Sequence, residues 1–272
     1  MKSLPRHINW LVNTNQQLRT ADGKEIEVWE FQHQDDDNVL SAWARHFREQ
    51  YCSDSQIDVL RSGTGLSRSE YLKTIKFPDK TQPPGSSIRA GDFAEILVAD
   101  FLEFLNCYWV PRTRDNKTIR NESTKGCDVI GFKLVNCNDF SPQDELAIFE
   151  SKTGLTNGKK NRERLQDAVD DSGKDVTRKA ESLNAIKQRF LNRNRIRAKQ
   201  IIERLQNEVD NPYQEFFGAV ALIDNCNYDE YIISQTSTVA HPKNNCIRLI
   251  VIRGEQLMSL VHSLYERAAN EA

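Results

Sequence analysis

The order of hydrophobic and polar residues along the chain predicts strands and helices in alternation. Polar and apolar residues alternate over Glu25–Phe31, which is typical of a half-buried strand. Over residues 38–51 the apolar side chains recur every three or four positions, which predicts an amphipathic helix. Its apolar face carries Val39, Leu40, Trp43, Phe47 and Tyr51. The acidic triplet at 35–37 precedes this helix, where the N-terminus favours negative charge; a metal site is the alternative interpretation.

Two shorter helices and a break in the pattern follow. Ser53 or Asp54 can cap the first of them, which Gly63 ends. The second holds Tyr71, Leu72 and Ile75. Proline and glycine then cluster at positions 78–85 and interrupt any regular element. We therefore predict a boundary there, between a smaller N-terminal α/β module at residues 1–82 and a larger domain at residues 83–272.

The larger domain is predicted to begin with a helix that Ser86 or Ser87 caps and that runs to about Leu105. Its predicted strands are Cys107–Val110, Cys127–Val135, Glu145–Lys152, Phe216–Asp224 and Cys246–Arg253, with two or three helices in residues 159–208 and a last helix over Glu255–Ala269. The order α-β-β-β-α-β, with an extra strand and helix, predicts an α/β fold of the α+β type around one mixed sheet.

Composition and charge point to a globular protein with an uneven surface. Of the 272 residues 38% are hydrophobic and 28% charged, which excludes a disordered chain, and the net charge of −2 favours no particular partner. Residues 20–60 carry ten acids against three bases, a net of −7, while residues 178–204 carry nine bases against two acids, a net of +7. Such a split predicts either a basic face for polyanions or mutual packing of the two segments.

Several classes of site are excluded by their missing motifs. The six cysteines form no Cys-x-x-Cys pair and have no histidine pair at zinc spacing, which argues against a zinc site. We therefore expect them to be reduced thiols of a cytoplasmic protein. We expect no secretory signal, because Pro5, Arg6, His7 and Asn9 interrupt residues 1–12. We expect no membrane helix, because no apolar run reaches the roughly 18 residues that a span needs. Gly158-Lys159 and Gly173-Lys174 lack the remaining P-loop residues, which excludes nucleotide binding of that kind.

The most informative chemistry lies in the segment Glu150-Ser151-Lys152. Residues 22–24 and 115–117 share its acid-any-lysine pattern but lie in polar, turn-prone sequence. The segment at 150–152 instead ends the apolar run 146–149 and therefore sits at a strand end. On a strand, residues i and i+2 face the same side, so Glu150 and Lys152 converge and Ser151 points away.

Asp128 is predicted to join this pair. If 127–135 and 145–152 form an antiparallel hairpin centred near residue 139, Asp128 faces 150–152, with opposed Cβ atoms about 5 Å apart. Two carboxylates this close repel unless a cation or a shared proton lies between them, and their oxygens suit magnesium or manganese. Glu95, on the preceding helix, is a candidate fourth member. The alternatives are a structural ion pair for the first three residues and an exposed helix glutamate for Glu95.

The order of elements with Asp128 and Glu150-x-Lys152 resembles the PD-(D/E)XK nuclease superfamily over about residues 86–224. Cys127 stands where the name-giving proline is usual, and no Gln-x-x-x-Tyr motif follows. More narrowly, the segments at 91–100, 126–132 and 149–152 look like the HamA family, the nuclease subunits of Hachiman anti-phage systems.

This resemblance implies a restriction-endonuclease-like core with an added helical insert and a bacterial, Mg²⁺-dependent DNase, for which Mn²⁺ can substitute. It implies Asp128, Glu150 and Glu95 as metal ligands and Lys152 as a further catalytic residue. It also implies a helicase partner of the HamB kind, for which the acidic N-terminal module is the expected docking surface. The alternatives are a catalytically silent scaffold that regulates a helicase, and a sequence-specific restriction-type endonuclease.

Basic residues that follow the predicted catalytic strand are candidate DNA contacts. They are Lys159, Lys160, Arg193, Arg195 and Arg197. The bases between 178 and 204 alternate with apolar residues, so one face can be core while the other contacts phosphates without reading sequence. A solvated helix surface or a docking site for an acidic partner is the alternative.

Overall fold

One curled seven-stranded sheet carries the fold in the computed structural model, which describes residues 4–272. The strands are β1 (Leu11–Asn13), β2 (Leu18–Arg19), β3 (Glu25–Phe31), β4 (Val129–Lys133), β5 (Glu145–Gly154), β6 (Gln214–Asp224) and β7 (Ile247–Gly254). Their order is β1-β3-β7-β6-β5-β4, and β2 pairs with β3. The four central strands β3, β7, β6 and β5 are parallel, whereas the outer pairs are antiparallel.

Helices cover both faces of this sheet. They are α1 (Asp37–Glu49), α2 (Ile57–Arg61), α3 (Arg68–Tyr71), α4 (Gly85–Asp100), α5 (Arg164–Asn192), α6 (Ile196–Gln206), α7 (Glu230–Ser234) and α8 (Leu257–Asn270). Single π-helical turns, Leu72–Lys76 and Phe101–Leu105, follow α3 and α4. No helix among residues 4–272 is both long and apolar enough to cross a membrane.

Alternate residues of β5 pack against different helices, and this alternation decides where its polar side chains point. Ala147 and Phe149 belong to the core formed with α1, α4 and α8. Leu146 and Ile148 belong to the core formed with α5 and α6. Because successive side chains on a strand point to opposite faces, the next even-numbered positions of β5 face α5.

Most elements predicted from the sequence are present within a few residues. The strand Glu25–Phe31 is confirmed, and the predicted helix at 38–51 is α1. Its N-cap is Asp36, whose side chain accepts hydrogen bonds from the backbone N–H groups of Asn38 and Val39. Two residues of the acidic triplet, Asp36 and Asp37, are therefore explained by the helix terminus, where Asp37 opens the first turn.

Three local predictions are wrong. Ser53 and Asp54 do not cap α2, because that helix begins later, after Gln56. Ser86 and Ser87 do not cap α4, because the helix already begins at Gly85 and its N-cap is Pro84. The predicted strand Cys107–Val110 is reduced to an isolated bridge between Trp109 and Phe132. Cys107 has a φ of 61°, a left-handed conformation that interrupts extended pairing.

The sheet and the main core continue across the predicted boundary at residue 82. Strand β3 pairs in parallel with β7, and α1 packs with α4 and α8 in one core. Seven of the ten acids in residues 20–60 form ion pairs with arginines outside the basic tract at 178–204. The pairs are Glu25–Arg19, Glu27–Arg248, Glu30–Arg253, Asp36–Arg6, Asp37–Arg267, Asp54–Arg48 and Asp58–Arg61.

A buried carboxylate ties the N-terminal segment to α4. Asp100 is completely buried, and its oxygens accept hydrogen bonds from Nε2 of His7 at 3.1 Å and Nε2 of His46 at 2.9 Å. A nitrogen of Arg112 also donates to it at 2.7 Å. Burial alone raises the pKa of Asp100, but Arg112 and His46 outweigh it and hold this pKa well below the usual range.

We predict that Asp100→Ala lowers the free energy of unfolding by about 3–5 kcal/mol, because it removes the buried acceptor of His7, His46 and Arg112 and leaves their donors unsatisfied. Asp100 has a folded-state pKa below its unfolded value of about 3.9, so its stabilisation is present above that pH and is lost as the pH falls. Urea unfolding should therefore show the difference from wild type shrinking between about pH 5 and pH 3. The exposed pair of Asp37 provides a control, since Asp37→Ala should cost at most about 1 kcal/mol. An equal cost for both variants would contradict the role of Asp100.

Candidate active site at the ends of two strands

The hairpin of β4 and β5 brings the predicted acidic residues to one end of the sheet. Val129 pairs with Phe149 and Ile130 with Ile148. This confirms the predicted register, in which the next pair outward is Asp128 opposite Glu150. Asp128 raises the pKa of Glu150, as expected for two neighbouring carboxylates.

Glu150 and Lys152 converge on the face of β5 that α5 covers. Nζ of Lys152 donates to Oε1 of Glu150 at 2.6 Å and lies 2.5 Å from Oδ2 of Asp171. Burial and then the charge of Asp128 raise the pKa of the Glu150 carboxyl to about 8. Burial disfavours the lysine cation, but Asp171 and Glu150 more than compensate and raise the pKa of Lys152. Lys152 is therefore a fixed positive charge at neutral pH.

Asp128 lies at the start of β4 and is held by the middle residue of the motif. Its Oδ2 accepts hydrogen bonds from the backbone N–H of Ser151 at 3.0 Å and from its hydroxyl at 3.1 Å. Ser151 does point away from Glu150, as predicted, but the sequence analysis missed that it positions Asp128. Burial raises the pKa of Asp128, while the Ser151 N–H and Lys152 lower it.

Glu95 approaches Asp128 from α4, on the opposite face of the sheet from α5. Both residues line a small cavity of about 20 Å³. The guanidinium of Arg114 forms an ion pair with Glu95 and lies 3.3 Å from Oδ1 of Asp92. Burial and Asp128 raise the pKa of Glu95, against the effect of Arg114. Glu95 is thus a buried, paired carboxyl, and the alternative of an exposed helix glutamate is excluded.

Asp175 is a fourth acidic side chain of the cluster, and the sequence analysis missed it. It is fully buried on α5, its Oδ1 lies 3.7 Å from Nη1 of Arg178, and neither carboxyl oxygen has a hydrogen-bond partner among the described residues. Burial and then Asp128 raise its pKa to about 6. A signal was present, because Asp175 stands in phase with Ala168, Ser172 and other buried positions of α5. A charged residue at a core position of a helix is costly unless it has a specific partner.

The predicted DNA-contacting residues all lie on the surface. Lys159 and Lys160 are exposed in a short 3₁₀ turn, Lys159–Glu163, that follows β5. Arg193, Arg195 and Arg197 are exposed where α5 gives way to α6. Arg193 forms an ion pair with Asp115, in the loop that also carries Arg114. The basic tract is therefore tied to the loop beside the acidic cluster.

The donor set fits a hard divalent cation. Glu95, Asp128 and Glu150 offer carboxylate oxygens, and their raised pKa values reflect burial and mutual repulsion that a cation relieves. Among residues 4–272, however, no three Asp, Glu, His or Cys side chains already stand in a metal-ligand arrangement. Each carboxyl instead has a protein partner: Arg114, Ser151 or Lys152. A bound cation has to take the place of some of these contacts.

Comparison with known proteins gives one clear result. A search of curated proteins finds no match to this chain. A family model described as HamA matches residues 6–268, which includes both sides of the predicted boundary and every residue of the acidic cluster. From this match over nearly its whole length, we conclude that the chain belongs to the HamA family.

Proposed function

We propose that this protein is a metal-dependent DNase that hydrolyses phosphodiester bonds. The observation that carries the proposal is the cluster of buried Glu150 with half-buried Asp128 and Lys152 at adjacent strand ends, where two carboxyls with raised pKa values lie beside a fixed cation. Membership of the HamA family links the chain to anti-phage defence. The succession of α4, β4, β5, α5 and β6 supports a PD-(D/E)XK core, with the Trp109 bridge in place of a full first strand.

Asp128 and Glu150 are the proposed ligands of Mg²⁺, with Glu95 as a third carboxylate beside Asp128. When bound, such a cation polarises a phosphoryl oxygen and lowers the pKa of an attacking water. Mn²⁺ prefers similar oxygen ligands and should substitute. Ser151 contributes by holding one oxygen of Asp128 with two hydrogen bonds, which fixes the direction of this carboxylate.

Lys152 supplies positive charge where the reaction gathers negative charge. Its ammonium is held by Glu150 and Asp171, so its position is fixed before substrate binds. A preorganised cation of this kind stabilises a pentavalent phosphoryl transition state without reorganisation. Because Glu150 accepts a hydrogen bond from Lys152 and is also a proposed metal ligand, the lysine charge lies next to the proposed metal site.

Glu150→Gln and Lys152→Ala are each expected to reduce plasmid cleavage by at least about 100-fold, because the first removes a proposed metal ligand and the second removes a fixed positive charge. Nicking of supercoiled DNA with Mg²⁺ measures the effect. Lys133→Ala is the matched control, since Lys133 lies on the neighbouring strand and pairs with Glu145 outside the cluster. Cleavage in excess EDTA, or full activity of the Glu150 and Lys152 variants, would refute the metal-dependent mechanism. Discrete fragments instead of a smear would favour a sequence-specific endonuclease.

The surface cations Lys159, Lys160, Arg193, Arg195 and Arg197 are proposed to contact phosphates. Replacing the three arginines together with glutamine should weaken DNA binding and flatten its dependence on salt by about one log–log unit for each lost contact. Fluorescence anisotropy at several salt concentrations measures this slope. The control is a second triple variant, in which glutamine replaces Arg19, Arg61 and Arg68. It loses the same amount of charge elsewhere on the chain and should leave the salt dependence of DNA binding unchanged. Equal slopes for both triple variants would assign the tract to packing or to a protein partner.

We further propose a stable complex with a helicase subunit of the HamB kind, in which the nuclease is restrained until the helicase engages DNA and hydrolyses ATP. The support is family membership and the need to restrain a largely non-specific DNase. The acids of residues 20–60, expected as a docking surface, are mostly paired within the chain, so net charge is a weak guide to the interface. Size-exclusion chromatography of the mixed subunits should give one peak, and nicking should depend on ATP. Separate peaks, or nicking indifferent to ATP and DNA ends, would contradict the complex.

A further inference from the structure

A cavity of about 380 Å³ opens beside Asp128, and Glu95 is not among its lining residues. One wall is the loop from Pro111 to Lys125, and the other is the C-terminal half of α5, from Ser182 to Arg189. Cys127 and Asp128 lie where the two walls meet at the strand end. A molecule in this cavity therefore touches the proposed catalytic centre. Its volume falls in the range of about 300–1,000 Å³ that is usual for small-ligand sites.

Arg189 lines this cavity with a guanidinium in which two of the three nitrogens have no hydrogen-bond partner among the described residues. Its Nε and Nη1 atoms are buried and have no hydrogen-bond partner in the part of the chain that the structure describes. Burial lowers the pKa of Arg189, and the nearby Arg193 lowers it further, with Asp115 opposing. Arg189 as a whole is half-buried, but donor nitrogens that are shielded from water without an acceptor are costly, so an anion bound against this guanidinium would be stabilised by charge-assisted hydrogen bonds.

Two other cations near the cavity already have partners, whereas Lys125 lines it as an exposed side chain. Lys117 donates to Oδ2 of Asp92 at 2.7 Å, and Arg193 pairs with Asp115. The rest of the lining includes an apolar side, with Ile119, Ile130 and Ile186, hydroxyl groups on the loop, and the exposed acid Glu122. An apolar wall next to one unpartnered guanidinium suits a ligand with a flat apolar part and an anionic part.

We propose that this cavity binds one unpaired nucleotide of the DNA strand next to Asp128, with its phosphate on Arg189 and its base against the isoleucines. The proposal rests on the proposed nuclease function and gives it a substrate class, namely single-stranded or frayed DNA. A base inside a duplex is stacked and paired, and it has to leave the stack before it can enter a cavity of this size. Base contacts with an apolar wall are tolerant of sequence, in keeping with a non-specific enzyme.

The test measures binding in the non-cleaving Glu150→Gln protein, so that cleavage does not interfere. The probes are a labelled oligothymidylate, a duplex of the same length, and thymidine 5′-monophosphate as competitor. Arg189→Met should weaken binding of the single strand by about tenfold or more, the size of one lost charge-assisted hydrogen bond, and affect the duplex little. It should also abolish competition by the mononucleotide. Lys187→Met, which removes a cation from the same helix outside the cavity, should change both affinities less than about threefold.

Thermal unfolding separates binding from folding. Because Nε and Nη1 of Arg189 are buried without a partner, Arg189→Met should keep or raise the melting temperature. Arg189→Lys should keep part of the affinity for the single strand. A lower melting temperature with unchanged affinity would assign Arg189 a structural role and overturn the proposal. Equal losses of single-strand affinity in the Arg189 and Lys187 variants would also overturn the nucleotide site. If the wild type still cleaves DNA in that case, the nuclease proposal stays intact. If the wild type does not cleave DNA but single-strand binding depends on Arg189, the nuclease proposal fails and the nucleotide site stands.

Discussion

The burial of carboxylates at the ends of β4 and β5 is the constraint on which the rest of this structure depends. Taking a charged group out of water is expensive unless a partner meets it with good geometry. Lys152 donates a hydrogen bond to Glu150, Ser151 donates to Asp128, and Arg114 forms an ion pair with Glu95. The Ser151 contact joins the ends of β4 and β5, the Arg114 contact ties its loop to α4, and Lys152 also reaches Asp171 and so ties β5 to α5. The remaining repulsion appears as raised pKa values, which makes the cluster receptive to a cation.

The residues of the proposed site come from both faces of the sheet. Glu150 and Lys152 face α5, where Asp171 and Asp175 lie, whereas Glu95 reaches the strand end from α4. Asp128, at the first position before β4, is coupled to both groups and also borders the larger cavity. The proposed metal site, the fixed lysine charge and the proposed nucleotide site therefore meet at one residue. A nuclease needs this convergence, because phosphate, water and positive charge act on the same atoms.

Local patterns in the sequence were enough for part of this account. The alternation in Glu25–Phe31 and the pairing of Glu150 with Lys152 follow from the two-residue period of a strand, and the hairpin register follows from its centre. Asp175 could have been found from its phase with the core positions of α5, whereas Arg114 and Arg189 could not be assigned, because their importance depends on partners or cavities formed by distant segments. Ser151 was placed correctly by periodicity, yet its bond to Asp128 depends on the side-chain direction of a residue 23 positions away. The strand expected at Cys107–Val110 failed because a left-handed residue overrides its apolar composition.

The central claim is that the buried carboxylates receive a divalent cation, and calorimetry of metal binding tests it most directly. The pKa of Glu150 is raised to about 8, first by burial and then by Asp128, so this carboxyl is largely protonated at neutral pH. Binding of Mn²⁺ or Mg²⁺ should therefore release protons near pH 7, seen as a dependence of the apparent enthalpy on the ionisation enthalpy of the buffer. The account predicts that Glu150→Gln loses both the binding and the proton release. The account would be contradicted if the wild type bound neither metal ion. It would also be contradicted if the wild type and Glu150→Gln bound the metal with equal affinity and neither released protons.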